Sequence, residues 1–211
     1  RQVIVNPVAR ISDKTASICS GGTFTVTPAN GGSEIVPSGT TYTWSTPAIS
    51  PAGSITGGSA QSTGQTSISQ ALTNTTNASA TATYTVTPQS GSCTGPTFTV
   101  TVTVNPVPSI SGMSATICSG STFTVTPANG GSEIVPSGTT YTWSTPAISP
   151  AGSITGGSAQ STGQTSISQA LINTTNASAT ATYTVTPQSG TCTGPTFTVT
   201  VTVNPVPSIS N

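Results

Sequence analysis

The sequence predicts an all-β protein: tandem β-sandwich domains joined by short proline-containing linkers. Three observations carry this. Threonine alternates with apolar residues at period two along stretch after stretch, the pattern of strands with one buried face. Nearly every such stretch is stopped by proline, which cannot donate to a β-ladder. The chain also repeats itself: Cys19 recurs as Cys118, Trp44 as Trp143, Tyr84 as Tyr183 and Cys93 as Cys192, each 99 residues on.

Seven strands are expected in each repeat. "TASICS" (Thr15 to Ser20) opens the domain, and "TFTVTP" (Thr23 to Pro28), "TYTWSTP" (Thr41 to Pro47), "ATATYTVTP" (Ala80 to Pro88) and "TFTVTVTVNP" (Thr97 to Pro106) are the strong alternators. "GSITGG" (Gly53 to Gly58) and "TSISQAL" (Thr66 to Leu72) complete the set, and the glycines of Ser54 to Gly64 read as turns. Seven short strands in about 99 residues are the signature of an immunoglobulin-like sandwich. Alternation then points Phe24, Val26, Tyr42, Trp44, Tyr84, Val86, Phe98, Val100, Val102 and Val104 inward, with Trp143 and Tyr183 as their copies. The threonines between them face outward, where a β-branched hydroxyl residue suits an exposed strand.

The period is too long for a solenoid coil and fits one whole domain per repeat. Between Ile18 and Ser111 the copies differ only at Gly22/Ser121, Thr73/Ile172 and Ser92/Thr191. "VIVNPVARIS" (Val3 to Ser12) aligns with "VTVNPVPSIS" (Val102 to Ser111). Residues 1–14 therefore read as the last strand and linker of a preceding repeat, 15–108 as one repeat and 109–211 as the next. A lone strand is not stable in water, so Arg1 to Val5 should pair with a preceding domain or a neighbouring chain. Asn105, Pro106 and Pro108 form the connector, whose prolines favour extended, semi-rigid geometry.

Four cysteines admit two disulfides or a four-thiolate metal site. Zinc sites use close cysteine pairs such as C-x2-C, and the chain has none. The first strand should start at the pole that carries the loop between the last two strands. With Cys19 placed at that start and Cys93 in that loop, the expected bridges are Cys19–Cys93 and Cys118–Cys192. Each would close a loop worth roughly 4–5 kcal/mol by chain entropy, and both imply an oxidising compartment.

Composition bounds the chemistry. Only 3% of residues are charged, three basic and three acidic, and there is no histidine. Nothing provides the basic footprint that nucleic acid requires, and no apolar run is long enough to span a bilayer. Serine and threonine are abundant, but acyl transfer needs a base beside the hydroxyl, and past Lys14 the only carboxylate side chains are Glu34 and Glu133. One carboxylate per repeat supports neither glycoside hydrolysis nor a calcium cage. No catalytic residue, cofactor or metal is therefore expected. Asn74-Thr75-Thr76 and Asn77-Ala78-Ser79 match the glycosylation sequon, a match that a threonine-rich chain produces by chance.

"TYTWS", "TATYTVTP" and "TFTVTVTVNP", with "ICSG" at the start and "CTGP" before the last strand, resemble the polycystic-kidney-disease (PKD) domain, in the PKD-like form found as tandem repeats of giant Bacteroidota surface proteins. The run Ser45-Thr46-Pro47-Ala48 departs from the acidic turn that usually follows the tryptophan. The resemblance implies an extracellular adhesin or filament at the bacterial cell surface, exported by type IX secretion, with no catalytic residues. On this reading the partners are neighbouring repeats of the same long chain, with lateral or end-to-end self-association into a filament. A chain with almost no charge has little repulsion to oppose that. The alternative is a carbohydrate- or ice-binding module using the threonine faces.

Overall fold

The computed structural model describes residues 7–207. The chain divides into two compact units, the boundary falling between Pro106 and Val107. All regular elements of the described residues are strands. The strand expected at Arg1 to Val5 lies outside the described residues.

In the first unit β1 is Lys14–Cys19, β2 Thr23–Val26, β3 Thr41–Trp44, β4 Ala48–Ser50, β5 Ile55–Thr56 and β6 Gln61–Gln65; β7 is Ile68–Ala71, β8 Thr73–Asn74, β9 Ala80–Ser90, β10 Cys93–Thr94 and β11 Phe98–Asn105. The larger sheet runs β1-β11-β9-β3-β6, with β4 and β10 added along β9. The other layer is made of the pairs β2-β7 and β5-β8. The second unit repeats this order from β12 (Met113–Cys118) through β20 (Ala179–Ser189) and β21 (Cys192–Thr193) to β22 (Phe197–Asn204).

Each alternating strand packs as its period dictates. β11 alternates buried and half-buried residues without a break, and β9 does so over most of its length. Phe24, Ile55, Ile68 and Leu72 from one layer meet Tyr42, Trp44, Tyr84, Val86, Phe98, Val100, Val102 and Val104 from the other in one apolar core. Trp143 and Tyr183 occupy the same places in the second core. Val26 is half-buried at the margin. Small residues fill the end of the β9 ladder, where Ala80 and Ala82 leave room for the opposite layer.

Two features depart from the sequence reading. β6 (Gln61–Gln65) lies in the glycine-containing stretch read as turns; it forms the sheet edge beside β3 across an irregular register. Its pattern carries no buried residue, so no apolar alternation marked it. Residues 9–14, read as the tail of a preceding repeat, belong to the first unit: Ala9 and Ile11 are buried in its core. Their copies are Pro108 and Ile110, and Ile110 is buried in the core of the second unit. The repeat therefore begins several residues earlier than its first strand suggests.

Candidate functional site

The direction of the first strand organises each domain. β1 runs parallel to β11, from Lys14 beside Val100 to Cys19 beside Asn105, and β12 runs the same way along β22. The chain comes in at one end of the sandwich, here called the near pole, and leaves at the other, the far pole. A first strand entering at one end and a last strand leaving at the other must run parallel if they are neighbours.

At the near pole the incoming segment is docked. Arg10 and Ile35 exchange backbone hydrogen bonds at 2.8 and 2.9 Å. Gly95 is there because nothing larger fits: an added Cβ would lie 2.3 Å from the Ala9 carbonyl oxygen. The second unit repeats this, with Gly194 against the carbonyl of Pro108 and Ser109 bridged to Ile134. Pro108, expected in the semi-rigid connector, is thus seated on the domain that follows it, whereas Asn105 closes β11 of the domain before.

Glu34 stands in the same region. Its carboxylate accepts from the Lys14 ammonium and from the Ser12 hydroxyl and amide. The Lys14 and Ser12 donors, with Lys14 the larger influence, hold its pKa down at about 2. In the second unit Lys14 is replaced by Met113, and Glu133 accepts the Ser111 amide at 2.7 Å. These glutamates fasten the incoming segment. Among the described residues no group of three histidine, cysteine or acidic side chains is placed to hold a metal ion.

The far pole is organised by Asn74. Its side-chain amide donates to the carbonyls of Val104 and Ala78 at 2.8 and 2.7 Å. Its oxygen accepts from the amide and hydroxyl of Thr76 at 2.9 and 2.8 Å. Only 3% of Asn74 is exposed, so the first sequon is a structural hub with no room for a glycan. Asn77, in the second sequon, is exposed. Asn105, one of the expected connector residues, accepts from Ser79 at 2.8 Å and donates to Ser17 at 3.1 Å. Pro106 then ends the ladder.

The cysteines correct the sequence reading. Cys93 and Cys118 carry free thiols, whereas Cys19 and Cys192 are disulfide-bonded. Neither Cys19–Cys93 nor Cys118–Cys192 is therefore formed. β1 does begin at the near pole, but Cys19 is its last residue and stands at the far pole. Cys93, paired with Ser90, stands at the near pole.

The aromatics are equally committed. The Trp44 indole donates to the Ser59 carbonyl at 3.1 Å and the Tyr84 phenol to Gln70 at 2.9 Å. Burial pushes the Tyr84 and Tyr183 phenols up to about 12. Beside Trp44 lies a shallow groove of about 390 Å³ between Thr43, Ser45, Gln61, Ser62, Thr85 and Thr87. Trp44 lines it together with uncharged hydroxyls and amides, but only 6% of Trp44 is exposed, so the groove offers little of the ring for a sugar to stack on. Sequence reasoning took Asn74 only as a chance sequon match and missed Gln70 and Gly95. Polar and glycine residues in this chain are too common to stand out, and only topology shows which backbone groups need them.

Comparison with known structures gives weak matches. A titin I-band fragment, I67-I69, matches at 10% identity and TM-score 0.39, over 94% of this chain and 66% of that chain. The first two immunoglobulin domains of DIP-gamma match at 10% identity and TM-score 0.40, over 94% of this chain and 98% of that chain. Human mucin-like protocadherin EC1-2 matches at 14% identity and TM-score 0.34, over 95% and 98%. No curated protein sequence matches the chain. The PKD-like domain profile, in contrast, matches residues 16–108 and again 115–207, so that each match runs from the first strand to the prolines after the last, and the chain belongs to the PKD-like domain family through two tandem copies.

Proposed function

We propose that the chain is a non-catalytic structural repeat of an extracellular bacterial surface protein, a stalk or filament that spaces or presents an adhesive element. The observation that carries this is the opposition of near and far poles within each domain: the incoming segment is docked beside Gly95 and the chain leaves after Asn105. A domain entered at one end and left at the other adds its own length to a chain of repeats. Two nearly identical copies favour reach over a division of labour, and the scarcity of charge favours association of such chains side by side. Family membership and the oxidised cysteines support an extracellular setting, for which bacterial surface display through type IX secretion is the specific form.

The test is small-angle scattering on chains of two, four and six repeats. The maximum dimension should rise by a constant step of about one domain length per repeat. A dimension that stays nearly flat as repeats are added would refute the stalk. Surface display is tested separately, by protease shaving of intact producing cells, which should release these repeats; their survival in intact cells would refute it.

A further inference from the structure

Glu133 is the only charged side chain of residues 107–211. Its counterpart in the first repeat, Glu34, has charged company. Arg10, Asp13 and Lys14 correspond to the uncharged Ser109, Gly112 and Met113 of the second repeat, each 99 residues on. The carboxylate is therefore present in both repeats and its cation in one.

The first repeat shows what this place can hold. Lys14 opens β1 opposite Val100, and its ammonium lies on the Glu34 carboxylate. The two side chains are only 28% and 14% exposed. A lysine laid in this way covers its methylenes with apolar surface and keeps its charge on a partner.

In the second repeat the backbone register is the same, with Met113 opening β12 opposite Val199. The side chain that reached the glutamate is gone. A cavity of about 190 Å³ lies there, walled by Ile110, Met113, Pro127 and Ala128, with Glu133 at its edge. The Ser111 amide donates to Oε2 of Glu133 at 2.7 Å, and no other described residue donates to this carboxylate. Glu133 and Met113 are half-exposed, so the cavity opens to solvent.

We propose that this cavity binds an aliphatic primary ammonium group, the chemistry of a lysine side chain, with the nitrogen on Glu133 and the methylenes against Ile110, Met113 and Pro127. The ligand takes the place that Lys14 fills for itself in the first repeat. An anion has no cation to meet here, and an uncharged alkyl chain leaves the carboxylate unpaired.

The test is an amide-shift titration of the full isotope-labelled chain with n-butylammonium chloride, at ionic strength held constant with sodium chloride. Saturable shifts are expected at the Ser111 and Glu133 amides, with a Kd of about 1–50 mM for so small a probe. n-Butanol, which has the chain without the charge, should bind about fivefold or more weakly. Glu133→Gln should weaken butylammonium to the same degree. Met113→Lys should abolish its binding, because the new side chain occupies the cavity as Lys14 does. Lys14→Met should open a second site, seen at the Ser12 amide. Nα-acetyl-lysine N-methylamide separates two sources of the group: tighter binding than butylammonium assigns it to a partner protein's lysine, equal binding to a free alkylamine, and both support the site. No saturable shift up to about 100 mM, equal binding of butanol, or unchanged binding in Met113→Lys would overturn the proposal. So would a folded Lys14→Met chain without the second site. Binding tests the cavity and scattering tests the stalk, so each can fail without the other.

Discussion

The Tyr84 phenol donates to Oε1 of Gln70 at 2.9 Å, and Tyr183 donates to Gln169 at the same distance. The partner amide is itself anchored: Gln70 donates to the carbonyl and hydroxyl of Ser59 at 3.0 and 2.8 Å and accepts the Ser59 amide at 3.0 Å. Ser59 also accepts from Trp44. The polar tips of the two core aromatics thus end in one small network. Tyr84→Phe removes one donor and leaves Gln70 still bonded to Ser59, so it should cost about 1 kcal/mol. Gln70→Ala leaves the part-buried phenol without its acceptor, whereas the Ser59 amide is exposed to water. It should cost about 1–3 kcal/mol, more than Tyr84→Phe. Urea unfolding of the two variants checks the order.

Asn74→Ala should be among the most damaging polar substitutions in the first repeat. It removes the donor to the Val104 carbonyl in a buried setting and one of the two side-chain donors to the Ala78 carbonyl, and an unpaired buried group costs about 1–3 kcal/mol. Thr76→Val, which removes an exposed hydroxyl bonded to the Asn74 oxygen and the Ala78 carbonyl but leaves the Asn74 amide on Val104, should cost less than half as much. Midpoints of chemical unfolding decide this, and equal losses would contradict the hub.

Gly95→Ala should unseat the incoming segment. The added Cβ meets the Ala9 carbonyl oxygen at 2.3 Å, and backbone cannot yield as a side-chain tip can. The expected reading is lost hydrogen-exchange protection at the Arg10 and Ile35 amides. Gly91→Ala is the control. Its φ of +57° penalises a side chain by roughly 1–2 kcal/mol, although no atom stands within 4 Å of the new carbon. It should lower stability without exposing those two amides.

The Glu34 carboxyl gives repeat one an acid-sensitive fastening. Its folded pKa of about 2 lies below the ordinary 4.5 because of Lys14 and Ser12. A carboxyl lowered on folding contributes stability that is complete above the unfolded value and is lost as pH falls through the folded one. The difference in melting temperature between the parent chain and Glu34→Gln should therefore be constant from neutral pH to about 5, shrink between about 4.5 and 2, and be absent below. A difference that does not change with pH would contradict it.

The core was legible because it obeys a period. Phe98, Val100, Val102 and Val104 alternate with threonines, and no other face of β11 can hold them. Topology was not legible in the same way. Periodicity gives a strand its faces but not its direction, so the sequence placed the start of the first strand at the correct pole and Cys19 at the wrong end of that strand. β6 was missed because Gln61, Ser62, Thr63 and Gly64 bury nothing. The docking of Ala9 against Gly95 was missed because a glycine needed for close approach looks, in sequence, like one needed for a turn.

The parallel register of β1 and β11 has a mechanical consequence. Tension applied through the chain pulls β1 toward one end of the domain and β11 toward the other, along the axis of the ladder they share. The six paired positions from Lys14 to Cys19 are loaded together in shear, rather than peeled one after another as at the end of a hairpin. Rupture then requires a collective slip, and the rate of forced unfolding is governed by that barrier. A pull applied across the ladder at one end of the two strands would instead open these pairs one after another.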